Sequence, residues 1–296
     1  MPYPESVTLI EVGPRDGFQF EKQNIPTSMK IDIINRLIRA GLTQIQVTSF
    51  VHPDRVPQMA DAELIIAGLD VPSGVSIDAL VLNMKGVERA CKTGLKRVEV
   101  SLSASDTHSR KNTGMTFDDA FAHGVEMIAH AKKIGLAVRA GVQCAFGCAY
   151  EGKVGMDRVR RMVETYLTAG ADEISLADTT GMAVPMDMQR IPPQVLSITG
   201  KTPFTLHLHN TRGLGLVNTM AALDTGVSRF DTAMGGMGGC PFVPNAAGNI
   251  STEDTAYLMQ TMGIQTGINI NAVAGCSRML ESFLGKHFDG KLHRLI

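Results

Sequence analysis

Short, β-branched apolar runs alternate with longer stretches of helical period along the whole chain. The first kind are Val7–Val12, Gln44–Thr48, Ser76–Leu82, Arg97–Leu102, Ala137–Cys144, Glu173–Leu176, Phe204–His209 and Arg229–Ala233. They read as nearly continuous apolar strands, buried on both faces. Between them, apolar residues recur at i, i+3 and i+4, as in Ser28–Ala40 with Ile31, Ile34, Leu37 and Ile38. Phe117–Ile134, Met156–Ala169 and Leu214–Gly226 follow the same rule, which predicts helices with one buried face. Glycine closes several of them just before the next strand, at Gly41, Gly94, Gly135, Gly170 and Gly226. Eight strands each followed by a helix predict right-handed parallel crossovers, and the length suits a closed (β/α)₈ TIM barrel over about residues 7–234. A Gly-rich loop and two helices, Thr252–Met262 and Asn271–Leu284, then form a C-terminal extension over about 235–296. The whole chain, 1–296, is expected to be one α/β catalytic domain.

Composition narrows the partners. With 28 basic against 29 acidic residues among 296, the formal charge is -1, which gives no field for nucleic acid or an anionic membrane surface. No apolar run reaches the ~18 residues of a membrane span, and Met1–Glu5 carry no basic, apolar leader pattern. The five cysteines, 91, 144, 148, 240 and 276, are odd in number and read as reduced thiols of a cytoplasmic protein. Cys144 and Cys148 lack a second Cys/His pair, so structural zinc is not expected.

In a parallel barrel, polar residues at the carboxyl ends of strands are the candidates for chemistry. His207 and His209, two apart on a strand, share a face and can converge on one divalent ion. Asp16, after the first strand, is the carboxylate best placed to join them. Arg15–Asp16 taken alone would be a solvated surface pair. Asp178 could fix a histidine tautomer or merely cap the next helix. The run Gly235–Gly239 reads as a loop lying close to ligand. Cys240 beside it is either an acid–base thiol or an inert one.

The motifs Glu11-Val-Gly-Pro-Arg-Asp-Gly17, Thr48-Ser49-Phe50-Val51, His207-x-His209, and Gly238-Gly239-Cys240-Pro241 with Gly248-Asn249 closely resemble 3-hydroxy-3-methylglutaryl-CoA lyases. These belong to the metal-dependent barrel lyases with an Asp-Arg-Glu signature. The resemblance implies cleavage of a tertiary 3-hydroxyacyl-CoA thioester into an acyl-CoA and a keto acid, as in leucine degradation. It implies Mg²⁺ or Mn²⁺ held by Asp16, His207 and His209, with Asn249 as a direct or water-bridged ligand. Arg15, Asp16, His207 and Cys240 form the implied catalytic set. Arg15 would stabilise the enolate and Cys240 would move a proton. Gln46, Ser49, Asp178 and Gly239 are expected to bind substrate or support the ligands. With the apolar C-terminal helices, the resemblance also suggests a homodimer.

Some positions depart from the family pattern. Gln46 stands where the signature has glutamate, expected at a strand end facing the cation, and Asn210 stands where aspartate is usual. Met237 and Asn245 replace the usual leucine and glycine. Gln46 therefore keeps a second reading open, a catalytically weak or inactive CoA-thioester-binding homologue. A third, a sister aldolase or Claisen-type synthase, is opposed by Gly238-Gly239-Cys240-Pro241.

Overall fold

The computed structural model describes residues 3–239 and 247–296. Within them eight parallel strands close into a barrel in sequence order. They are β1 (Thr8–Glu11), β2 (Gln44–Phe50), β3 (Ser76–Val81), β4 (Arg97–Ser103), β5 (Ala137–Gln143), β6 (Glu173–Asp178), β7 (Phe204–Leu208) and β8 (Arg229–Thr232). The helices are α1 (Thr27–Arg39), α2 (Ala62–Gly68), α3 (Met84–Lys92), α4 (Asp106–Thr113), α5 (Phe117–Lys133), α6 (Met156–Thr168), α7 (Pro185–Thr199) and α8 (Gly215–Leu223), then α9 (Thr252–Thr261) and α10 (Ile270–Leu284). The barrel expected from the sequence is the fold observed. Strands β1 and β8 close it, pairing Thr8 with Arg229 through to Glu11 with Thr232.

The strands are not apolar on both faces, and here the sequence reading needs correction. Along β4 and β5, Val98, Val100, Val138, Ala140 and Val142 are buried against the helical layer. The alternate residues belong to a buried polar network inside the barrel. Arg139, wholly buried, lies 3.7 Å from both Glu99 and Glu173 and 2.5 Å from Asp231. Arg97 and Arg229 also pair with Glu173. A buried charge is tolerated when it is paired and hydrogen-bonded. Runs that look continuously apolar are thus strands of period two, with polar residues facing inward.

The C-terminal extension returns to the start of the barrel. Val7 donates its backbone N–H to Gln265, and Gln265 donates to Glu5. Asn269 donates to Ala40, the residue that closes α1. The next residue, Gly41 (φ 97°), has no room for a side chain, because a Cβ there would lie 2.2 Å from the Gly267 carbonyl oxygen. No helix among the described residues is long and apolar enough to cross a membrane.

Candidate metal centre and active site

The chain leaves β1 through a wide helical turn, Gly13–Gly17, whose five residues are all buried. That turn carries Arg15 and Asp16 over the carboxyl end of the barrel. Asp16 is tied from three sides. Arg15 pairs with Oδ1, Gln19 donates to Oδ1 at 2.9 Å, and Asn249 donates to Oδ2 at 2.8 Å. Burial pushes the Asp16 carboxyl up, but Arg15 and the two nearby histidines outweigh it and hold the carboxyl below its ordinary range.

The two histidines converge as their spacing demands. Their Nε2 atoms are 3.0 Å apart, and Asp16 Oδ2 lies 3.9 Å from one and 4.0 Å from the other. Asp16, His207 and His209 are the one such donor cluster among the described residues, and all three are buried. Burial, then the neighbouring His207, lowers the pKa of His209 to about 3. A neutral imidazole is the form that binds metal. Asn249 sits against the cluster, and its buried Oδ1 has no hydrogen-bond partner among the described residues. One carboxylate, two imidazoles and an orphaned amide oxygen fit a borderline or hard divalent cation such as Mn²⁺ or Mg²⁺.

Asp231 was missed by the sequence reading. Its Oδ2 lies 3.0 Å from His207 Nδ1 and also accepts from Arg139. Burial raises the Asp231 carboxyl, but Arg139 and His207 outweigh this and hold it at about 2. It is therefore an anion that fixes His207 with Nδ1 protonated and Nε2 turned toward Asp16. The available signal was a lone aspartate within the buried strand Arg229-Phe-Asp-Thr232.

Asp178 does something else. Its carboxylate accepts from the backbone N–H groups of Met182 and Ala183, and burial raises its pKa to about 6. These bonds fold the loop ahead of α7, whose N-cap is Val184, so Asp178 neither caps that helix nor fixes a histidine tautomer. Asn210, next to His209 in sequence, turns its amide oxygen to the backbone N–H of Gly215 at the start of α8. Ser49 is buried, with no partner for its hydroxyl among the described residues.

Gln46 differs from expectation most. It sits in the first half of β2, just before an irregularity in register between Gln46 and Thr48 that breaks the pairing with β3. Its amide bonds to Arg15, Asp78 and Glu99 rather than facing the cation cluster. Asp78, Glu99 and Arg139 were not singled out beforehand.

A cavity of about 920 Å³ opens over these groups, lined by Arg15, Asp16, His207, His209, Glu99 and Gly239 among others. Gly238 (φ 117°) has no room for a side chain, since a Cβ would lie 2.5 Å from Asn249 Nδ2. Cys240 and Asn245 lie outside the described residues.

Fold and site together define a (β/α)₈ barrel with a buried Asp–His–His cluster suited to a divalent cation. A family model described as HMGL-like matches residues 6–280, and the chain belongs to that family. It is 39% identical over 286 residues to a hydroxymethylglutaryl-CoA lyase of Bacillus subtilis, covering 97% of this chain and 96% of that protein. It is also 39% identical to an (R)-citramalyl-CoA lyase of Chloroflexus aurantiacus, covering 95% and 92%. A solved HMG-CoA lyase from Acinetobacter baumannii, in complex with coenzyme A and 3-methylmalate, superimposes with a TM-score of 0.94 at 40% identity, covering 99% of this chain and 96% of that one.

Proposed function

We propose that this chain is a divalent-metal-dependent carbon–carbon lyase. Its substrate is 3-hydroxy-3-methylglutaryl-CoA or a closely related branched 3-hydroxyacyl-CoA, split into an acyl-CoA and a keto acid. The observation that carries this reading is Arg15 paired with Asp16 beside the two convergent histidines, at the edge of a cavity large enough for an acyl thioester.

In the reaction C2–C3 breaks, the C3 hydroxyl gives up its proton, and C2 leaves as the enolate of the departing thioester. A bound Mg²⁺ or Mn²⁺ would acidify that hydroxyl and orient the substrate oxygens. Asp16, His207 and His209 are the residues to hold it, with Asn249 adjacent. Arg15 faces the negative charge that develops on the thioester oxygen, and Nη2 is its one nitrogen with no bond to protein among the described residues. A fixed positive charge at that oxygen is often the largest catalytic contribution. Cys240 is assigned the proton delivered to C2, on the resemblance alone. The reduced thiols of Cys91, Cys148 and Cys276 accord with a cytoplasmic location.

The test is a small panel of hydroxyacyl-CoA thioesters, including citramalyl-CoA, assayed with and without chelator. Carbon–carbon cleavage to an acyl-CoA and a keto acid that chelation abolishes and Mn²⁺ restores is the expected result. His207→Ala should lose metal binding and turnover together. Unchanged Mn²⁺ affinity in a calorimetric titration of that variant would remove His207 from the centre.

A further inference from the structure

We infer that Gln46 is a positioning residue, held by Asp78 and Glu99 so that its amide oxygen fixes the guanidinium of Arg15, and that an acid cannot replace it in this barrel. The inference rests on the lyase reading only for the job it gives Arg15.

A glutamine amide has a donor end and an acceptor end, and both are committed here. Its oxygen accepts from Arg15 Nε. Its nitrogen donates to Asp78 Oδ1 at 2.8 Å and to Glu99 Oε2 at 2.6 Å. All four side chains are buried. An ionised carboxylate only accepts, so two of them on one side leave the amide a single orientation. Turned over, it would set its oxygen against two carboxylates and its NH₂ against a guanidinium.

The carboxylates are themselves anchored from beneath. Arg97 lies 3.8 Å from Asp78, and Arg139 lies 3.7 Å from Glu99. Burial still raises the Asp78 carboxyl to about 6. Arg15 is thereby gripped at two points, Nε by Gln46 and Nη1 by Asp16, and Nη2 remains for substrate. Gln46 touches neither histidine.

This arrangement bears on the departure from the family signature. Replacing the amide with a carboxylate would bring a third acid to within hydrogen-bond distance of two others. In a buried site such a group stays neutral by taking up a proton, or it breaks the contacts. The negative charge usual at this position on β2 is carried in this chain by its neighbours on β3 and β4.

Two variants test the inference, Q46E and the charge-conserving Q46E/E99Q, in which the new acid gains an amide donor. The first readout needs no reaction, namely melting temperature of chelator-treated protein from pH 5.5 to 8. A carboxyl whose folded pKa is raised stabilises the native state least at high pH. Q46E should therefore melt progressively below wild type as pH rises, and the double variant should show a flatter slope. The second readout is kinetic. Q46E should lose about tenfold in kcat with little change in KM, ~1.4 kcal/mol of barrier, and the loss should shrink toward low pH. The double variant should recover part of it, because the two sites are coupled. A Q46E melting deficit independent of pH, or a double variant no better than the single one by both readouts, would overturn the inference. If wild type cleaves none of the thioesters, the lyase reading fails, and the melting series alone decides whether Gln46 is held as described.

Discussion

At the residue scale the centre depends on groups that never touch an ion. His207 can turn Nε2 toward Asp16 because Asp231 takes its Nδ1–H, and Arg139 keeps Asp231 ionised. Losing such a carboxylate partner typically weakens metal binding by about 10–100-fold. Asp231→Asn should therefore lower Mn²⁺ affinity by that order while His209 and Asp16 remain in place. Calorimetric titration of the chelator-stripped variant checks it, and wild-type affinity would show that Asp231 is dispensable. The histidine pair was legible in the sequence because spacing of two on a strand fixes a shared face. Asp231 was not, because it is 24 residues from His207 and becomes its neighbour only when β7 and β8 pair across His207–Asp231. Gln46 was singled out, but its surroundings were misjudged, since no residue near it in sequence reveals Asp78 or Glu99.

At the element scale, the positions of the strands were legible and their two-sidedness was not. Hydrophobic runs bounded by glycine marked each strand to within a few residues. In β5, however, Ala137-Val-Arg-Ala-Gly-Val-Gln143 reads as apolar with one stray charge until the barrel closes. That charge then proves to be the centre of the interior, within reach of Glu99, Glu173 and Asp231 at once. Arg139→Ala should leave three buried carboxylates short of a partner. Removing one side of a buried ion pair costs about 3–5 kcal/mol, so the variant should show a large drop in urea midpoint. A drop below ~1 kcal/mol would mean that Arg97 and Arg229 suffice to balance the interior.

At the scale of the whole molecule, buried acids set a pH dependence. Burial raises Glu11 to about 7, outweighing the bonds it accepts from Thr252, Met234 and Gly13. Asp78 shares the direction, at about 6. A carboxyl with a raised folded pKa contributes stability that is fully present below its unfolded pKa and lost as pH rises through the folded value. The lowered imidazole of His209 opposes this below about pH 6.5, so metal-free protein should lose stability from about pH 6.5 to about pH 7.5, and Glu11→Gln should lessen the slope. Urea denaturation at the two ends of that range measures both. Asp231, lowered to about 2, acts in the opposite sense and only in stronger acid. The clasp between the C-terminal extension and the first β/α unit has a consequence of another kind, for the order of events on the ribosome. β1 and α1 are completed by residues more than two hundred positions later in sequence, since β1 pairs with β8 and Val7 and Ala40 are met by Gln265 and Asn269. For most of translation β1 waits as an open edge, the kind of surface prone to wrong pairing. Ring closure must await β8, and the clasp at Val7 and Ala40 must await Gln265 and Asn269, so β1 and α1 are made well before the contacts that secure them.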